Sequence, residues 1–148
     1  MINFNQNHNL KIGNAPCSWG VFYPENNSLK YDKYLTKISE IGYQYSELGP
    51  LGYFNDETSI IKDFLIKLNI QISGAAHVHN FADLSMFDKL KLDVKKISNI
   101  LIDLNSTHLI LMDESEFYPK DYKGKIHSED WGKIMKNIIE IQTLVENE

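Results

Sequence analysis

Four times in succession, a short apolar run gives way to a longer stretch whose apolar residues recur every three or four positions. No other feature constrains the fold as tightly. A period of two buries one face of a strand, and a period near 3.6 buries one stripe of a helix, so a chain that keeps switching between them builds strand–helix units. The first run covers residues 10–15 and should end at Pro16, which has no N–H to give to a ladder. Ser28 is expected to cap the first helix, with Tyr31, Tyr34, Leu35, Ile38 and Ile41 inward and Gly42 at its end. A second strand over 43–48 is closed by Gly49-Pro50. Asn55 or Asp56 then opens a helix carrying Ile60, Ile61, Phe64, Leu65 and Leu68, stopped by Asn69. The third strand is expected over 70–76, and the third helix carries Phe87, Leu90, Val94, Ile97, Leu101 and Leu104 before Asn105. The fourth strand covers 107–112. After a polar loop with Pro119 and Gly124, Ser128 should cap a fourth helix with Trp131, Ile134, Ile138, Ile141 and Val145 on its apolar face.

Four such units predict an α/β fold with a parallel sheet and right-handed crossovers. Two architectures satisfy the pattern: an open doubly wound sheet, or a (βα)4 half of an eight-unit TIM barrel. The periods alone do not separate them. No Gly-x-Gly-x-x-Gly follows the first strand, which counts against dinucleotide binding. A chain of 148 residues is expected to form one domain over 1–148.

The charge pattern narrows the ligand class. Net charge is −5 and every basic residue is Lys; there is no Arg. A nucleic-acid partner needs basic surface, and a phosphate grip commonly uses the guanidinium fork. A neutral polyol or keto-sugar therefore fits better than a phosphorylated one. Lys89, Lys91, Lys95 and Lys96 read as a solvated helix face. Cys17 is the sole cysteine, which suits a reducing compartment. Residues 1–9 lack the apolar segment of a signal peptide, and no run is long enough to span a membrane, so the cytoplasm is the expected location.

The segment Asn14-Ala15-Pro16-Cys17-Ser18-Trp19-Gly20-Val21 resembles the first strand-loop of the xylose isomerase-like TIM-barrel superfamily, nearest its sugar phosphate isomerase/epimerase and inosose dehydratase branches. The segment Ile41-Gly42-Tyr43-Gln44-Tyr45-Ser46-Glu47-Leu48-Gly49-Pro50 resembles the second unit of the same superfamily. The resemblance implies a xylose isomerase-like half-barrel, its N-terminal half. Such barrels have eight units and run to roughly 250 residues, so this chain reads as truncated. The resemblance also implies a reaction beside a carbonyl: aldose–ketose isomerisation, epimerisation, or dehydration of an inosose. Each removes a proton next to the carbonyl, with a divalent metal, Mn²⁺ or Mg²⁺, stabilising the enediolate. In the superfamily that metal is held mainly by Glu, Asp, His and Glu of later strands. No metal ligand or catalytic acid or base is therefore carried over, and no metal is expected on this chain alone.

Chemistry in a parallel barrel sits at the C-terminal ends of the strands. That criterion selects Trp19, Glu47, His77, His79 and Asp113 as substrate-binding candidates, with Glu114 beside the last. Trp19 offers a flat face for a sugar carbon skeleton, or else is a core aromatic. Glu47 would accept bonds from hydroxyls. His77 and His79 form a His-x-His whose rings share a side by the period of two; they could converge on a metal or a carbonyl oxygen, or form a structural pair. One of Asp113 and Glu114 could face the pocket. Cys17 reads as inert packing.

The expected ligand is a small sugar or polyol, with no nucleic acid and no membrane. Four parallel strands would leave two free edges, which predicts a homodimer or a complementary half-barrel chain. A second reading is a truncated or split half-barrel without activity of its own. A third, an endonuclease on the same fold, is opposed by the net negative charge and the lack of Arg.

Overall fold

Gly13–Asn14 (β1) pairs with Tyr45–Glu47 (β2), which pairs with Gln71–His79 (β3), which pairs with Leu109–Asp113 (β4). All three pairings are parallel and the order in the sheet is the order in the chain. The computed structural model describes residues 11–54, 57–113 and 128–146. Between the strands run Tyr31–Ile41 (α1), Thr58–Leu68 (α2) and Phe87–Asp103 (α3), and Ser128–Glu146 (α4) follows the last strand. Two 3-10 turns, Pro16–Trp19 and Leu84–Met86, follow β1 and precede α3. A strand order that never reverses lays every crossover helix on one side of the sheet, the winding of a barrel; a doubly wound sheet reverses.

Local chemistry sets the boundaries. β1 is shorter than expected because Pro16 removes a donor and Ala15 already leads into the 3-10 turn. α1 begins at Tyr31 after an extended Lys30, so Ser28 does not cap it. Gly42 ends α1 at φ 103°, a left-handed position that a side chain disfavours. Asn69 and Asn105 take the left-handed conformation after α2 and α3, at φ 54° and 55°. β3 runs past the expected 76 to His79 because Ala75 to His79 pair residue by residue with Leu109 to Asp113. The capping roles read for Asn55, Asp56 and Ser128, and the loop residues Glu114, Pro119 and Gly124, fall outside the described residues and side chains.

Two apolar clusters hold the helices to the sheet. The first joins Tyr34, Leu35 and Ile38 of α1, Ile61 and Leu65 of α2, Ile97 and Leu101 of α3, and Ile72 and Ala75 of β3. The second joins Phe81, Phe87, Leu90 and Val94 to Ile134 and Ile141 of α4. The α4 stripe differs from expectation: Trp131 is half-exposed, while Asn137 is buried and donates from Nδ2 to the Phe81 carbonyl at 2.7 Å. Ile41 and Ile60 are likewise exposed rather than inward. Among the described residues nothing covers the opposite face of the sheet, and Val78, Ile110 and Met112 stand half-exposed on it. Among the described residues, no helix is long and apolar enough to cross a membrane.

Candidate functional site

Which face each candidate occupies follows from the alternation and one irregularity. In β2, Ser46 is fully buried toward the helices, so its neighbours Tyr45 and Glu47 lie on the open face. In β3, Ile72 is buried toward the helices, which would put residues 73, 75, 77 and 79 on the open side. The pairing, however, jumps from Ser46–Ile72 to Glu47–Gly74. This bulge inserts one residue into β3 and reverses the faces beyond it. Ala75 is accordingly buried in the first cluster, and Val78 is on the open side. Gly74 is required at the crossing, since a Cβ there would lie 2.6 Å from the His108 carbonyl oxygen.

The candidates therefore divide. His77 and His79 lie on the helix side, in register with Leu111 and Asp113. Their rings stack with centroids 6.5 Å apart, and His79 packs edge-on to Phe81 at 5.8 Å. Burial holds both imidazoles below their usual pKa; for His77, Asp93 opposes the shift while His79 and Lys89 add to it. For His79, Lys89 adds to the effect of burial and Asp83, Asp93 and Asp113 oppose it. His79 Nε2 is buried with no hydrogen-bond partner among the described residues. Asp113 accepts the Phe81 N–H at 3.0 Å, so it pins the chain leaving β3.

Trp19 is packed against the first cluster, its ring 6.2 Å from Tyr34 in an edge contact. Its Nε1 donates to Asn14 Oδ1 at 2.8 Å. The Tyr34 hydroxyl lies 3.3 Å from the same Oδ1 and 3.0 Å from Ser46 Oγ, with one proton to share. Ser46 Oγ in turn donates to the Glu47 carbonyl at 2.8 Å. Burial raises the Tyr34 phenol to about 12, so it stays a neutral donor. Trp19 thus sits at the far end of a polar chain that fixes the backbone of Glu47.

Glu47 lines a concave trough of about 570 Å³ on the open face, with Lys11, Tyr45, Gln71, Ser73 and His108. Ser18, rather than its neighbour Trp19, reaches the trough from the first loop. Lys11 Nζ stands 5.0 Å over the Tyr45 ring. One carboxylate, one ammonium, a phenol, a hydroxyl and an amide can serve both lone pairs and protons of a polyhydroxylated molecule. Lys11, Tyr45 and Gln71 enter the trough from the N-terminal ends of their strands, the end of a parallel barrel that serves stability, whereas Glu47 closes β2 at its C-terminal end. Among the described residues, no group of three or more His, Cys, Asp or Glu could hold a metal. Glu47 lies on one face and His77, His79 and Asp113 on the other, so the chain's described donors do not fit a metal centre.

No protein-family model matches the sequence, and no curated protein matches it. Two solved structures match its fold. A D-psicose 3-epimerase, crystallised in the presence of D-fructose, superposes with a TM-score of 0.63 at 16% identity. A probable 3-DHS dehydratase of Bacillus anthracis, involved in petrobactin synthesis, superposes with a TM-score of 0.66 at 10% identity. Each alignment covers 93% of this chain and 49% of the other, so the chain spans about half the length of these proteins. Both are xylose isomerase-like TIM barrels. The fold is thus a parallel four-strand α/β unit matching about half of such a barrel.

Proposed function

We propose that the chain is half of a barrel that converts a sugar or polyol beside a carbonyl, by isomerisation, epimerisation or inosose-type dehydration. The observation that carries this reading is Glu47. Its carboxylate lies at the end of a strand, in a polar trough, with its backbone tied to Ser46 and, through Tyr34 and Asn14, to Trp19. An epimerase and a probable dehydratase on the same fold support it. In this reading Glu47, at the C-terminal end of β2, accepts bonds from substrate hydroxyls, and Trp19 holds the wall from behind. His77, His79 and Asp113 brace the sheet from the helix side. A divalent metal, Mn²⁺ or Mg²⁺, would be held mainly by the other half of the barrel, where it would supply charge stabilisation beside the carbonyl. The single cysteine suits the cytoplasm.

A second reading is a half-barrel without activity of its own, acting only with a partner chain. The uncovered Val78, Ile110 and Met112 favour it, because a barrel interior is closed from all sides. Turnover of keto-sugars and keto-polyols by the purified chain with added Mn²⁺ separates the two. Product formed by the chain and lost in Glu47→Gln supports the first; no product at any protein concentration supports the second.

A further inference from the structure

We propose that two copies of this chain close one eight-stranded barrel, each β1 lying against the partner's β4. The proposal rests on the half-barrel reading for the role of the trough, and on geometry for everything else. β1 and β4 are the outer strands of the sheet, and among the described residues nothing pairs with their outer edges. A groove of about 530 Å³ runs beside β4, walled by Leu109 and Leu111, by Leu101 of α3, and by Ile138, Ile141 and Val145 of α4. Two hydroxyls, Ser98 Oγ and Ser106 Oγ, stand in residues only 5% and 8% exposed that line the same groove. Neither has a hydrogen-bond partner among the described residues. A groove with apolar walls and a polar margin at Thr107, Gln142 and Glu146 suits polypeptide, which brings apolar side chains together with backbone donors and acceptors.

The matching strand is on the same chain. Ile12 precedes β1 and is 67% exposed. It has the parity of Asn14, whose side chain points to the helix side, so an adjoining β1 would turn Ile12 toward the side on which the groove lies. Contact of one patch with a different patch of the copy, twice over, is what a two-fold axis down the barrel produces, and it keeps all eight strands parallel. The same closure brings Val78, Ile110 and Met112 of both copies into one interior.

Sedimentation equilibrium of the full chain over a concentration series tests this without substrate, so it can fail while the chemistry stands, and the reverse. The expected species is a dimer, twice the 17.1 kDa chain mass. Ile12→Asp and Ile110→Asp, both at exposed positions, are each expected to weaken it at least tenfold while circular dichroism stays unchanged. A second measurement does not depend on the variants. Amide exchange in β4 of the wild-type chain should slow as concentration rises through the dissociation constant. A monomer at every concentration, an open-ended oligomer, a dimer indifferent to both substitutions, or β4 exchange independent of concentration overturns the proposal.

Discussion

Trp19 Nε1 donates to Asn14 Oδ1 across 2.8 Å, closing the first strand-loop on itself within five residues. The bond sets the tryptophan's role. An indole whose N–H is spent on the strand it follows, and whose ring meets Tyr34 edge-on, is a wedge between the loop and α1. Asn14→Ala removes the acceptor for Trp19 and a neighbour of the buried Tyr34 hydroxyl. It is expected to cost about 1–3 kcal/mol in urea unfolding, the penalty of a stranded polar group. A loss below about 0.5 kcal/mol, the scale of a neutral surface change, would count against the wedge.

Tyr34 and Tyr53 give the fold an alkaline limit. Burial raises both phenols to about 12, above an ordinary value near 10. The folded state therefore prefers the neutral form. The resulting stability is complete below pH 10 and drains away as pH rises from about 10 toward about 12. Tyr34→Phe should flatten that decline in denaturation midpoints measured across the range; a slope equal to wild type would contradict it.

The stacked imidazoles act at the other end of the scale. His77 and His79 are held below their usual pKa, chiefly by burial. Their neutral forms stabilise the fold above about pH 6.5, and that contribution is lost as pH falls through the lowered folded values. NMR titration of the imidazole C–H signals should give midpoints below 6.5 for both residues, and His79→Leu should reduce the acid dependence of stability. Midpoints at or above 6.5 would mean that the rings are not desolvated as described.

Gly74 is where the β3 bulge meets the chain entering β4. Gly74→Ala would set a methyl against the His108 carbonyl oxygen, a backbone atom that cannot swing aside. A cost of about 1–3 kcal/mol is expected from overpacking. Because the bulge decides the faces beyond it, the His77 and His79 signals should move as well. An unchanged spectrum would show that the crossing is looser than its geometry.

The helices were legible because their stripes are regular, and because Gly42, Asn69 and Asn105 stand where left-handed residues end them. The parallel order follows from that alternation; the barrel winding shows only in the strand order, which the periods leave open. The face of the His-x-His was not legible. A period of two keeps one face along β3 only if the strand is unbroken, and the local sign of the inserted residue is a single glycine, Gly74, inside the run. Trp19 could not be placed either, since its fate rests on an acceptor five residues back and a ring fifteen residues on. Asn137 interrupts an apolar stripe, and its reason is the carbonyl of Phe81, far away in sequence. That Glu47 ends a strand was legible, because a carboxylate just before Gly49-Pro50 is a local signal.

In the proposed function Glu47 faces the reacting end of a sugar or polyol on the open side of the sheet. The direct measurement is proton exchange: incubating the chain with a keto-sugar and Mn²⁺ in D₂O and following deuterium uptake beside the carbonyl by NMR. Uptake by the wild-type chain, abolished by Glu47→Gln but retained by His77→Gln and His79→Gln, is the predicted result. No uptake in any state of assembly, or uptake indifferent to Glu47, would contradict it.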